Sequence, residues 1–133
     1  MTEGFWQAAM RGAFLPEYPL VRRPGPDARQ RWADAVILPD EPHGHARVAD
    51  YPGLAGRNVV VVQTKTGRMG MHLMGQALFS AALVRGLDAA SVRSILLCHR
   101  ADRALLPLLA PFPEVEVWLS HLDNPRLVER ARL

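Results

Sequence analysis

Four consecutive valines, Val59 to Val62, restrict the fold of this chain more than any other feature of its sequence. β-branched side chains favour extended backbone, and a strand that is apolar at every position needs cover on both faces. The turn Thr66–Arg68 leads into a predicted helix over residues 69–84, and a further strand is predicted over residues 92–98. Strand, helix and strand with short connections form a parallel crossover unit. The sequence therefore predicts an α/β protein with a buried sheet.

Further elements are predicted on both sides of this unit. Residues 41–57 show no sustained period and are expected to form an exposed flap. The remaining predictions are a helix over residues 4–12, a brief extended piece over 18–22, a strand over 34–38, a short helix over 102–109, a strand over 115–119 and a terminal helix that begins at Asn124-Pro125. The predicted order is αβββαβαβα, a single-domain three-layer-type sandwich over residues 1–133 with a central mixed β-sheet.

Composition narrows the class of protein. A chain of 133 residues with 49% hydrophobic side chains has the size and balance of one soluble globular domain. Cys98 is the only cysteine, so an intrachain disulfide is excluded and a reducing cytoplasm is expected. The first residues lack the basic start and apolar run of a secretory signal. Polar residues and glycines interrupt the apolar segment 69–84, which is expected to be a buried helix rather than a membrane span.

The charged residues indicate an anionic partner. The formal net charge is +3, and 15 of the 16 basic residues are arginine, so Lys65 stands alone. Arginine keeps its proton at any working pH, whereas a partly buried lysine can change its pKa. Lys65 is therefore a candidate for a chemical role.

Three polar residues are predicted to meet where the two central strands lie side by side. If strands 34–38 and 58–63 pair in antiparallel fashion, Asp34 comes level with Gln63 and Lys65. Alternation then places Gln63 and Lys65 on one face of the sheet and Thr64 on the other. The helix after Lys65 would direct its free N–H groups and Arg68 towards the same point, which favours a phosphate.

These residues resemble a known superfamily. The matching segments are Trp32 to Leu38, which carries Asp34, and Val59 to Lys65, which ends in Gln63-Thr64-Lys65. This arrangement of elements and residues is similar to the PD-(D/E)XK nucleases, whose restriction-endonuclease-like fold is shared by many restriction enzymes and RecB-like exonucleases. The literal Pro39-Asp40 pair is set aside, because Asp40 lies six residues from Asp34, or roughly 20 Å along the strand.

The resemblance implies a metal-dependent nuclease with Asp34, Gln63 and Lys65 as its catalytic residues. Asp34, the Gln63 side-chain oxygen and the Thr64 backbone carbonyl would hold Mg²⁺ or Mn²⁺, and Lys65 would orient the nucleophile or neutralise the transition state. Gln63 replaces the usual acidic residue with a neutral amide, which lowers the expected metal affinity. Some superfamily members place a Glu on the first helix, where Glu3 is the only acid available.

A polar stripe on the long helix completes the predicted site. Arg68, His72 and Gln76 recur every four residues and are candidates for substrate binding, and Gln76 is similar to a glutamine of the RecB-like branch. His72 and Gln76 could equally form a solvated helix face. The alternative for Asp34 and Lys65 is a simple cross-strand ion pair.

The sequence is compatible with more than one function. The expected partner of a nuclease is nucleic acid, most simply DNA, and a chain this small is compatible with a homodimer or a larger protein partner. The alternative is a catalytically weak or inactive nuclease-fold domain that binds nucleic acid or protein. A nucleotide-binding domain ranks last, because Gly67, Gly70 and Gly75 match neither the dinucleotide fingerprint nor a P-loop.

Overall fold

A computed structural model describes residues 1–22 and 25–132. Two helices and seven strands make up its regular structure. They are α1 (Thr2–Ala9), β1 (Ala13–Val21), β2 (Arg31–Leu38), β3 (Gly44–His45), β4 (Asn58–Thr64), α2 (Met71–Gly86), β5 (Ser91–Cys98), β6 (Val115–Ser120) and β7 (Val128–Arg130), with 3₁₀ turns at Val48–Asp50 and Leu106–Leu109.

The strands form one mixed sheet in the order β3-β1-β2-β4-β5-β6-β7. β2 lies antiparallel to both β1 and β4, and β4, β5 and β6 run parallel to one another. The α/β class, the central mixed sheet, the antiparallel central pair and the parallel crossover through α2 are confirmed. Within the described residues, no helix is both long and apolar enough to cross a membrane.

The valine run explains how the helices pack. Val60 and Val62 join Phe5 and Trp6 of α1 in one hydrophobic cluster, whereas Val59 and Val61 join a second cluster that contains residues of α2. Because successive side chains of a strand point to opposite faces, the two helices cover opposite faces of β4. The sheet is thus the middle of three layers, and β4 is apolar throughout because both of its faces are covered.

Two predicted helices near the C-terminus are wrong. The segment 102–109 forms only the 3₁₀ turn Leu106–Leu109, and the helix predicted from Asn124-Pro125 is replaced by β7, which pairs antiparallel with β6. The Asn124 side chain accepts a hydrogen bond from the Arg126 backbone, and the His121 backbone N–H donates to the Leu127 carbonyl. These bonds close a turn that sends the chain back along β6.

The strand predicted over residues 18–22 is longer than expected, because β1 begins at Ala13 despite Pro16 and Pro19. β3 pairs only with Ala13 and Phe14, so beyond that point β1 borders no further strand on this side. Proline, which lacks an N–H, is tolerated on such an open edge. The predicted flap 41–57 is also partly wrong, since Leu54 is buried in the core.

A buried ion network supports the far half of the sheet. Glu116, which is 5% exposed, accepts two hydrogen bonds from Arg93 at 2.7 and 2.8 Å and one from the Trp118 indole at 3.2 Å. Burial raises the pKa of Glu116, but the hydrogen bonds from Arg93 and Trp118 and the charges of Arg93 and Arg130 outweigh it and lower the pKa overall.

Glu116→Gln is expected to lower the free energy of unfolding by about 2 kcal/mol at neutral pH, because charge-assisted hydrogen bonds to Arg93 are lost. Urea titration measures this loss. Glu114→Gln is the matched control, since its 3.4 Å contact with Arg85 is solvent-exposed and is worth about 0.5 kcal/mol. A lowered pKa stabilises the fold above the unfolded-state pKa and loses that effect as pH falls through the folded-state value. The difference between wild type and Glu116→Gln should therefore shrink in acid, and a difference that grows there would contradict this account.

Candidate active site and groove

The candidate site begins where β2 and β4 separate. Their regular pairing ends at Ala35 and Val62. The Lys65 N–H donates to Leu97 in β5, so by alternation the Thr64 N–H faces β2. There the Asp34 carboxylate oxygen Oδ2 accepts hydrogen bonds from the Thr64 backbone nitrogen at 2.8 Å and the Thr64 hydroxyl at 3.0 Å. Asp34 therefore replaces the backbone carbonyl that regular pairing would supply.

Asp34 retains the capacity to bind a ligand. Its side chain is exposed, and among the described residues its second oxygen, Oδ1, accepts no hydrogen bond. The Thr64 carbonyl points to the same neighbouring strand as the Thr64 N–H, because both groups of one residue share a side of the strand. The Thr64 carbonyl thus faces the gap between β2 and β4, next to the Asp34 carboxylate.

Lys65 lies at the beginning of α2. Its ammonium nitrogen is 3.5 Å from the position that a Cβ would take at Gly70, the N-cap residue of α2. The first turn of α2 has no acidic residue, and no side chain caps it. Unsatisfied N–H groups and an ammonium group therefore converge without a nearby counter-charge from this turn, which favours an anion. Among the described residues, Asp34 and Lys65 form no ion pair, so that simpler explanation is wrong.

Gln63 lies in a different environment from Asp34. Only 4% of Gln63 is exposed, and its amide nitrogen donates to the Ser80 hydroxyl on α2 at 2.7 Å and approaches the Trp32 carbonyl at 3.5 Å. Its side-chain oxygen Oε1 accepts no hydrogen bond from any residue in the described ranges. Oε1 is not fully buried, because Ser120 Oγ is the only fully buried side-chain polar atom without a partner in those ranges.

Gln63 lines a groove of about 540 Å³ beside α2. The predicted residues His72 and Gln76 are exposed on α2 and line the same groove, whereas Asp34, Lys65 and Arg68 do not. The structure thus divides the predicted residues between the end of β4 and the adjacent groove. The groove is lined by Leu20, Arg31, Trp32, Gln63, Met71, His72, Gly75, Gln76, Phe79, Ser80 and Leu83.

Sequence reasoning missed several residues at this edge of the sheet. Ser80 continues the four-residue spacing of His72 and Gln76, so its position was available as a signal. Trp32 and Arg100 carried no comparable signal. Arg68 forms an isolated backbone bridge with Arg100, which follows β5, and both side chains are exposed.

The remaining candidates lie elsewhere. Glu3 contacts His45 at 2.8 Å, on the edge strand β3, which is separated from β4 by β1 and β2. Burial raises the pKa of the Cys98 thiol, as expected for a core cysteine. Among the arginines near β2, Arg31 lines the groove.

The donors at the end of β4 match a hard cation in type. Among the described residues, no group of three or more His, Cys, Asp or Glu side chains could hold a metal ion. Asp34 and the Thr64 carbonyl nevertheless supply the oxygen ligands that Mg²⁺ prefers, and Mg²⁺ commonly takes one or two carboxylates and completes its shell with water and phosphate oxygens. The residues fit a weakly held ion of this kind.

Comparison of the chain with protein-family models finds no match, and searches of the curated proteins and of the solved structures find none either.

Proposed function

We propose that this protein is a metal-dependent nuclease that hydrolyses phosphodiester bonds, with a restriction-endonuclease-like fold. The observation that supports this function is the contact between the Asp34 carboxylate and Thr64, the residue between Gln63 and Lys65. The order of elements from α1 to β5, with the two-residue strand β3 left aside, is helix, strand, strand, strand, helix and strand, and it supports the resemblance to the PD-(D/E)XK superfamily. A carboxylate, a carbonyl and an ammonium group at one sheet end suit a bound phosphate and its cation.

The position of each residue indicates whether it would bind the metal ion or the phosphate. Asp34 and the Thr64 carbonyl would hold Mg²⁺ or Mn²⁺, while the Gln63 amide is directed into the groove by Ser80. When bound, the ion would activate water and neutralise charge on the scissile phosphate. Lys65 and the free N–H groups of α2 provide positive charge for the phosphate oxygens, and Arg68 precedes the same helix.

A second candidate function is binding of nucleic acid without cleavage. The specific observation that favours it is the single carboxylate at the end of β4, since Gln63 is neutral and is hydrogen-bonded to Ser80. A domain of this kind would bind nucleic acid equally well with and without divalent metal. Titration with Mn²⁺ distinguishes the two, because only the nuclease should show a metal site that Asp34→Asn removes.

Lys65→Ala is expected to lower the rate of cleavage by about 100-fold, because the variant loses a positive charge that stabilises the transition state. The substrates are end-labelled single- and double-stranded DNA and RNA with Mn²⁺. Arg103→Ala is the matched control, since Arg103 is an exposed cation in the loop after β5. Circular dichroism should show that all three proteins are folded. Equal cleavage by wild type and Lys65→Ala, or cleavage by neither, would overturn the nuclease proposal.

A further inference from the structure

We infer that the groove beside α2 binds an unpaired nucleobase, with Gln63 Oε1 as the hydrogen-bond acceptor, so that the nucleic acid bound is single-stranded. This inference rests on the proposed function and adds the class of substrate. Gln63, Trp32 and Gly75 carry it through three separate observations.

Gln63 provides a fixed acceptor in the groove. Its Nε2 donates to the Ser80 hydroxyl at 2.7 Å and approaches the Trp32 carbonyl, which can only accept, at 3.5 Å. Oε1, on the same groove-lining side chain, has no partner among the described residues. Because only 4% of Gln63 is exposed, a hydrogen bond to Oε1 must come from a ligand or water in the groove. Each nucleobase has an N–H donor on its Watson–Crick edge, and that donor is available only when the base is unpaired.

The walls of the groove suit a flat aromatic ligand. Trp32 is 50% exposed, Phe79 72% and Met71 76%, so three large apolar side chains meet solvent around one cavity. Any of the bases can stack on aromatic side chains such as Trp32 and Phe79. Arg31, His72 and Gln76 add polar groups to the lining, as expected for a ligand with polar edges and a charged backbone.

Gly75 keeps the groove open at a cost in helix stability. It lies inside α2, where glycine is a poor helix former, and a Cβ at this position would meet no atom within 4 Å. Packing within the chain therefore does not require glycine here. What its small size does provide is space along the groove between His72 and Phe79.

The position of the groove connects it with the candidate active site. Gln63 immediately precedes Thr64, and Trp32 lies two residues before Asp34. A base held against Gln63 and Trp32 would place its own strand near the end of β4, where Lys65 and the N-terminus of α2 favour a phosphate. Base and phosphate would then be bound by neighbouring parts of one surface.

The test is fluorescence anisotropy with a short labelled oligonucleotide in EDTA, where cleavage cannot contribute. We expect single-stranded DNA or the RNA of the same sequence to bind at least about tenfold more tightly than the corresponding duplex. Trp32→Ala should weaken binding of the single strand by about tenfold, because one stacking surface is lost. Phe112→Ala is the matched control, since Phe112 is an exposed aromatic residue outside the groove.

Gly75→Leu provides a second, independent variant. A leucine should fill the groove and weaken binding while the melting temperature stays the same or rises, because leucine favours helix and has open space. Gly86→Leu, at the end of the same helix and outside the groove, should leave binding unchanged. A merely structural role for Gly75 would instead lower stability together with binding.

Several outcomes would overturn the inference. The first is equal affinity for single strand and duplex, and the second is unchanged affinity in both Trp32→Ala and Gly75→Leu. The third is self-association that Trp32→Ala abolishes, because the groove would then be an interface between two copies of this chain. Binding in EDTA without cleavage in Mn²⁺ would reject the nuclease and keep the base site. Cleavage that is abolished by Lys65→Ala but unaffected by either groove variant would support the nuclease and reject the base site.

Discussion

Asp34→Asn is expected to lower the rate of nucleic acid cleavage by about 1,000-fold while the free energy of unfolding changes by less than about 1 kcal/mol. The asparagine oxygen can still accept the hydrogen bonds that Thr64 donates at 2.8 and 3.0 Å. What the variant loses is the negative charge, which is the only carboxylate charge in the proposed metal site. Activity and stability should therefore separate at this residue. Cleavage assays in Mn²⁺ and urea denaturation measure the two effects.

Asp40→Asn is the matched control for this prediction. Asp40 follows β2 at its opposite end and accepts a hydrogen bond from the Asn58 side chain at 2.8 Å, so the same chemical change is made to a similar carboxylate. It is also the acid of the literal Pro39-Asp40 pair. We expect Asp40→Asn to cleave at the wild-type rate. Loss of activity in Asp40→Asn with full activity in Asp34→Asn would place the site at the Asp40 end of β2 and contradict the role proposed for Asp34.

Gly12→Ala is expected to destabilise the fold by about 4 kcal/mol, the sum of backbone strain and overpacking. Gly12 joins α1 to β1 with a φ of +109°, a conformation that side chains disfavour. A Cβ here would lie 2.0 Å from the Leu38 carbonyl oxygen and 2.6 Å from the Cα of Pro39, and neither backbone atom can move cheaply. The Gly12 carbonyl also accepts a hydrogen bond from the Trp6 indole at 3.0 Å, so the shift would disturb the packing of α1.

Gly56→Ala separates the two causes. Gly56 has a φ of +74°, but a Cβ there would meet nothing within 4 Å, so only strain remains. We expect a loss of about 1 kcal/mol for Gly56→Ala in the same urea titration. Similar losses for both variants would show that the contact with Leu38 is relieved by a small backbone movement, and would contradict the larger value.

The central part of the fold could be predicted because local and long-range requirements agree there. Val59 to Val62 favour a strand locally, and the layers on either side require apolar residues at the same positions. The predicted helix over residues 69–84 begins two residues early and ends two residues early relative to α2, as expected when the apolar pattern is clear but the helix ends are not.

The C-terminal segment could not be predicted in this way. Asn124-Pro125 is a plausible helix start, and nothing near it in sequence reveals that an unpaired side of β6 is available. β7 forms because the backbone groups of Val128 to Arg130 pair with β6. The same reason explains β1, where Pro16 and Pro19 argue against a strand locally but lie on an open edge.

The candidate site, too, could be predicted from the sequence only in part. Sequence alone determined that Asp34 would meet the segment Gln63 to Lys65, because two central strands joined by a connection without a helix pair in antiparallel fashion. Only the tertiary structure decided the direction of each side chain. Pairing ends at Ala35, so Asp34 bonds to Thr64, while Ser80 holds the Gln63 amide in the groove. Local periodicity specifies which strand a residue belongs to, but the hydrogen-bond partners of polar side chains come from distant parts of the chain.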